Sequence, residues 1–134
     1  MHAGDSRIYH FHAGQLVQHT VDHSYVQGLV ARGEITQAQA LHHPKANVLV
    51  GCLGSEADPP VSLHTLACVQ PGDVMLACSD GLWHYFTPQE MAAVVDALTP
   101  REATEFLIGK ARLRAQGSGD NLSLVVVKIE ALAA

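Results

Sequence analysis

Polar and hydrophobic positions alternate from Arg7 to Phe11 and again from Gln15 to Thr20. That period of two predicts two strands, with Ala13-Gly14 as the hairpin turn between them, although Ala-Gly is a weaker turn signal than Asn-Gly. The period changes after Asp22. Val26, Leu29 and Val30 recur at helical spacing as far as Arg32, and Gly33 supplies a stop. Thr36 is the expected N-cap of a second, short helix, with Gln39 at the capping-box position. Pro44 ends that helix.

After Cys52 the chain turns polar and Pro-rich from Ser55 to Pro60. Two further strands are predicted, Ser62 to Cys68 and Val74 to Ser79. Pro71-Gly72 between them suits a type II turn, Pro fixing one φ and Gly supplying the positive one. Val74 to Cys78 is apolar throughout, which predicts a strand covered on both faces. Thr87-Pro88-Gln89-Glu90 carries an N-cap, a first-position Pro and a third-position Glu. The helix it starts has Met91, Val94, Val95 and Leu98 on one face. Thr99-Pro100-Arg101-Glu102 repeats the signal for a helix expected to bury Ala103, Phe106, Leu107 and Ala111. Gly117 to Asn121 interrupts it, and Leu122 to Ile129 is the last strand. Strands, helices, strands, helices and a strand predict an α+β fold, a mostly antiparallel sheet with helices packed on it.

The length of 134 residues suits one domain, residues 1–134, without linker or repeat. With 48% hydrophobic but only 5% aromatic residues, the core must rest on aliphatic side chains. The net charge of −5 comes without any basic cluster, which argues against a nucleic-acid partner. No run reaches membrane-span length and no signal peptide is evident, so no membrane association and a cytoplasmic location are expected. Cys52, Cys68 and Cys78 form no CxxC pair. Cys68 and Cys78 sit in apolar runs and are expected to be buried free thiols, which fits a reducing compartment. Only three residues precede Gly4-Asp5-Ser6-Arg7, which runs straight into a strand, and a domain rarely begins that way without a fraying lead-in.

Three aspartates share one context. Asp5 lies in Gly4-Asp5-Ser6, Asp80 in Ser79-Asp80-Gly81 and Asp120 in Gly119-Asp120-Asn121, each at the rim of a predicted strand. Carboxylates converging from separate strands would repel one another unless a cation neutralised them, and hard Mg²⁺ or Mn²⁺ prefers such oxygens. Against this, Asp beside Gly is ordinary turn chemistry. The nine histidines include His10 and His12 on one strand face and the adjacent His42 and His43. No recognisable zinc set is completed, and a surface or packing role is favoured. Asp22-His23-Ser24 invites a triad reading, but triad members usually meet from separate elements.

The ordered motifs resemble those of bacterial PPM-type (type 2C) protein phosphatases. Gly4-Asp5-Ser6-Arg7-Ile8-Tyr9 is similar to the family's Gly-Asp-Ser-Arg strand. Thr20 to Ser24, Leu29-Val30, Gly33 to Thr36, His43-Pro44, Asn47 to Leu49 and Leu53-Gly54 resemble the bacterial members' next segment. Gly72-Asp73 with Cys78 to Trp83 resembles a second aspartate strand, and Gly119 to Ser123 the closing Asp-Asn motif. The match runs in order over nearly the whole chain.

The resemblance implies an antiparallel β-sandwich flanked by helices, an α-β-β-α arrangement of which this chain is only the C-terminal part. It implies hydrolysis of phosphoserine and phosphothreonine in proteins, the products of a Ser/Thr kinase, by a two-metal-activated water. Two core ions, Mn²⁺ or Mg²⁺, and a third, weaker one are implied. Asp80 and Asp120 correspond to ligands of a core ion, and Asp5 to a ligand of the weaker ion, shared with Asp80. Gly4, Ser6, Arg7, Ser79, Gly81 and Asn121 support these motifs. Residues 22–47, with Asp22, His23, Ser24 and Asn47, correspond to a flap that affects substrate choice. The family's Glu-Asp pair, bridging Asp of an Asp-Gly-x-Gly-Gly segment and phosphate-gripping Arg are not in this sequence; they are expected in an N-terminal half, so this chain alone should be weakly active or inactive. His84 and Val50-Gly51-Cys52 depart from the family's usual residues. The alternative is a non-catalytic phosphatase-like binding or regulatory module.

Overall fold

The computed structural model describes residues 1–66 and 68–131, which divide into two units. The second unit, Arg7–Thr20 with the residues from Thr65 onward, holds the sheet. Its strands are β1 (Arg7–His12), β2 (Gln15–His19), β3 (Asp73–Cys78) and β4 (Leu124–Lys128). All pairs are antiparallel, in the order β2-β1-β3-β4. The hairpin turn takes Ala13 and Gly14 to φ of 47° and 70°, so both central residues are left-handed, as the strand twist favours. Alanine tolerates this conformation at a cost of about 1–2 kcal/mol.

Tyr9 and Phe11 of β1 and Val74, Leu76 and Cys78 of β3 point to one face. Helices α3 (Asp80–Trp83), α4 (Pro88–Ala97) and α5 (Pro100–Ala115) lie in the same unit. Leu82, Met91, Val95, Ala103 and Leu107 complete that core. The helix starts form as expected. Thr87 and Glu90 close one capping box and Thr99 and Glu102 another, each Thr oxygen accepting from the third-position amide. Arg114 then ties the two helices. It forms a two-pronged ion pair with Glu90, at 2.6 and 3.1 Å, donates to the Tyr85 carbonyl and lies over the Phe86 ring.

Three expectations are corrected. Residues 62–66 and 68 form no strand, only an isolated bridge at Ser62; Ala67 lies outside the described residues. Both sides of β3 are already occupied, by β1 and β4, which leaves no place for a 62–68 hairpin arm. The Pro71-Gly72 turn survives without it, with Gly72 at φ 94° and the Asp73 amide donating to Gln70 O at 3.1 Å. Phe106 is 48% exposed. The buried stripe of α5 runs through Ala103, Leu107, Ala111 and Ala115, and at 100° per residue Phe106 falls on its outer flank. Cys68 is exposed, as is Cys52; only Cys78, on the core face of β3, is buried.

His10 and His12 do share a face, and Asp73 accounts for both. Its Oδ1 accepts from His10 Nε2 at 3.0 Å and His12 Nδ1 at 2.9 Å, and its Oδ2 from the Gln70 amide at 2.8 Å. The Gln70 amide first, then His10, hold this carboxyl below the usual range.

The first unit comprises Met1–Ser6 and Val21–His64. It carries α1 (Tyr25–Ala31), capped by Ser24, and α2 (Gln37–Leu41), opened by the Thr36–Gln39 capping box. Val26, Leu29 and Ala40 are its buried apolar residues. Gly33, at φ 73°, turns the chain out of α1.

Two predictions concern stability. Arg114 foremost, then the Thr87 amide, holds the Glu90 carboxyl down from 4.5 to about 2. A carboxyl depressed by folding stabilises fully above about pH 4.5 and loses that contribution as the pH falls through about 2. Glu90→Gln therefore lowers Tm at neutral pH and flattens the acid limb of a thermal-melt series between those values. Leu107→Ala costs about 2–5 kcal/mol in urea unfolding, whereas Phe106→Ser stays within about 0.5 kcal/mol.

Candidate functional site

β3 ends at Cys78, opposite Leu124 of β4, and the chain passes through Ser79 directly into α3. Ser79 stitches this junction to the segment before β4. Its amide donates to Ser123 O at 3.0 Å, its Oγ accepts from the Ser123 amide at 3.0 Å and donates to Asn121 O at 3.3 Å. Asp80, first residue of α3, and Asp120 therefore stand at one end of the β3–β4 pair. Each carboxylate is steadied by the following amide. Asp80 Oδ1 accepts from Gly81 N at 2.9 Å, and Asp120 Oδ1 from Asn121 N at 2.6 Å. Asp80 is half-buried and Asp120 exposed.

The short α3 is held from two sides. Leu82 is buried in the core, and the Arg7 guanidinium lies 3.6 Å from the Trp83 ring centre. Gly81 is set by close approach: a Cβ there would overlap the Asn121 carbonyl and lie 3.3 Å from Asp120 O. His84 Nδ1 donates to Asp80 O at 3.1 Å, and its ring packs on Trp83. Beside this junction lies a cleft of about 630 Å³ lined by Gly81, Tyr85, Arg112, Asp120 and Asn121 among others.

Asp5, Gly4, Ser6, Asp22, His23, Ser24 and Asn47 belong to the first unit. Gly4 has φ 91°, and Asp5 and the exposed Ser6 follow it ahead of β1. Ser24 Oγ accepts from the Gln27 amide at 3.3 Å as the cap of α1. His23 turns away from Ser24 to reach Gly4 N at 3.2 Å and Ser62 Oγ at 2.8 Å. The Asp22-His23-Ser24 run thus makes no triad. Asn47 is exposed beyond α2. His43 Nδ1 accepts from the Lys45 amide at 3.0 Å, a local turn role. The His23–Ser62 bond spans 39 residues, and sequence reasoning did not find it.

In kind, the donors at the β3–β4 rim fit a hard divalent ion, since both are carboxylates on a stiff junction with one oxygen each held by the backbone. They form only part of a coordination shell: among the described residues no three His, Cys, Asp or Glu side chains group so as to hold an ion.

No family model matches the chain. Among the proteins it resembles, the serine/threonine phosphatase stp of Listeria monocytogenes is 35% identical over 126 residues, covering 93% of this chain and 49% of that protein. A serine/threonine phosphatase structure from S. agalactiae matches with a TM-score of 0.80 and 32% identity, over 96% of this chain and 52% of that one. The catalytic domain of the serine/threonine protein phosphatase PstP in complex with two manganese ions matches with a TM-score of 0.76 and 29% identity, over 97% and 52%. The homologues are bacterial serine/threonine phosphatases of the PPM (type 2C) kind, and the chain spans about half the length of those it matches first.

Gly81→Ala should cost about 1–3 kcal/mol by overpacking. It should also speed hydrogen exchange at the Asn121 and Ser123 amides. Unchanged exchange there would show that Gly81 does not set the Asp120 segment.

Proposed function

We propose that this chain is the part of a metal-dependent protein serine/threonine phosphatase that supplies Asp80 and Asp120 to a core ion and Asp5 to a further, weaker one. The observation that carries the reading is the Ser79 junction, which puts two backbone-steadied carboxylates at one end of β3 and β4. The likeness to the manganese-bound PstP domain supports Mn²⁺, or Mg²⁺ by the same oxygen chemistry. When bound, such ions supply positive charge that screens phosphoryl oxygens and acidifies water. The chain's own part is to orient two carboxylates in advance, through the Ser79 junction, the Gly81 contact and the Arg7–Trp83 clamp on α3.

Substrates in this proposal are phosphoserine and phosphothreonine proteins made by a Ser/Thr kinase, in the cytoplasm. Among the described residues no helix is long and apolar enough to cross a membrane. Residues 22–47, with Asp22, His23, Ser24 and Asn47, act as a flap that influences substrate choice. Its two helices are short, and α2 buries only Ala40. Hydrogen exchange in this segment should be faster than in β3, and equal protection would remove the flap assignment.

The test of activity is Mn²⁺-dependent hydrolysis of p-nitrophenyl phosphate and a phosphothreonine peptide. The chain alone should bind Mn²⁺ weakly and turn over negligibly. Joined to a segment bearing the Glu-Asp pair, the Asp-Gly-x-Gly-Gly run and the arginine, it should be active. Asp80→Asn or Asp120→Asn should then lower kcat about 10²–10³-fold, the size of losing one preorganised electrostatic contact. Full activity of the joined Asp80→Asn protein would remove the ligand assignment. No activity in the joined wild-type protein would favour the binding module.

A further inference from the structure

Three imidazoles, none of them offered as a metal ligand, meet in the first unit. His2, 9% exposed, stacks on His23 with ring centres 4.6 Å apart and planes 13° apart, and the His64 ring lies 5.5 Å from His2. Hydrogen bonds fix where two of the protons sit. His2 Nε2 faces Val21 O at 3.0 Å, so it carries the proton. Its Nδ1 is buried without a partner. The Gly4 amide points at His23 Nδ1 from 3.2 Å. An amide N–H only donates, so Nδ1 is bare and the proton sits on Nε2, donated to Ser62 Oγ at 2.8 Å.

This tautomer disposes of one reading and favours another. A histidine acting as base toward Ser62 would need its lone pair on Nε2, so His23–Ser62 is not a nucleophile–base couple. His23 instead grips Gly4 at both polar backbone groups, since its own amide also donates to Gly4 O at 2.9 Å. Gly4 sits at φ 91°, where L side chains are strained, and the next residue is Asp5. The ring is anchored at both nitrogens and stacked on a buried neighbour. Burial first, then His2, holds the pKa of His23 below the usual histidine value, while Asp22 acts to raise it and His64 to lower it.

We infer that His23 is a positioning residue for Asp5: its Nδ1 holds the amide before Gly4 and its own backbone amide holds the carbonyl after it, which together fix the Gly4 backbone and with it the direction in which the Asp5 carboxylate leaves the chain. The inference rests on reading Asp5 as a metal ligand. Groups that orient a ligand without touching the ion commonly change metal affinity about 10–100-fold when removed.

The test uses the chain as it is, with Mn²⁺ as probe. Imidazole ¹⁵N spectra of the metal-free wild-type chain should show His23 as the Nε2–H tautomer; an Nδ1–H tautomer overturns the inference without any substitution. Mn²⁺ titrations followed by electron paramagnetic resonance then compare two variants. His23→Asn puts an amide oxygen near the Nδ1 position and should keep the wild-type affinity. His23→Gln reaches toward Ser62 but leaves Gly4 without its acceptor, so it should weaken binding about tenfold and speed exchange of the Gly4 amide. Equal affinities for the Asn and Gln variants overturn the inference. Asp5→Asn separates the two failures. If it leaves Mn²⁺ binding unchanged, the ligand reading itself falls. If it weakens binding while His23→Gln does not, only the positioning role is lost.

Discussion

The junction at the C-terminal end of β3 is the constraint on which the site depends. β3 is paired on both sides, so its backbone hydrogen bonds are taken up over its whole length and its end cannot drift. Ser79 extends that rigidity past the last paired residue. It uses amide and hydroxyl together, against the carbonyls of Ser123 and Asn121 and the amide of Ser123. Asp80 inherits its place from the strand through this seam, and Asp120 from the segment sewn to it. Without the seam, each aspartate would be the ordinary turn residue that its Gly neighbour suggests.

Packing of α3, α4 and α5 against the sheet holds that end in place. α3 is too short to be stable alone and persists because Leu82 is buried and Arg7 covers Trp83. α4 and α5 are placed by their capping boxes and then locked by Arg114, which meets Glu90, the Tyr85 carbonyl and the Phe86 ring together. Glu90 serves twice, as the capping-box acid of α4 and as the anion for Arg114. At the opposite end of β3, Asp73 binds His10, His12 and the turn amide, so the strand is pinned at both ends by hydrogen bonds to a polar side chain.

The first unit has a different economy of interactions. Its buried apolar residues are few, and polar contacts hold its segments together: the Ser24 cap, the His2–Ser62 bridge and the His23 contacts to Gly4 and Ser62. The His23 imidazole suits this task, because it presents one acceptor and one donor in a plane and so binds a backbone amide and a hydroxyl without burying charge.

Much of this was legible in the amino-acid order because the interactions are local. The two alternating runs became β1 and β2. Thr36, Thr87 and Thr99 became N-caps because each meets a Gln or Glu three residues on, within one turn. The motifs around Asp5, Asp80 and Asp120 carried the resemblance that the homologous phosphatases support. What failed depended on partners far along the chain. Residues 62–66 and 68 look like a strand by composition, but a hairpin arm on β3 needs an open side of that strand, and β1 and β4 had filled both. Phe106 lies outside and Cys68 is exposed because burial follows the direction in which a helix or loop meets the core, not the apolarity of its sequence neighbours. Local hydrogen-bond geometry, closed within three or four residues, was determined by the sequence alone. The seating of Asp80 beside the Asp120 segment and of His23 against Gly4 and Ser62 was decided only in the tertiary structure, because those bonds span 19 to 44 residues.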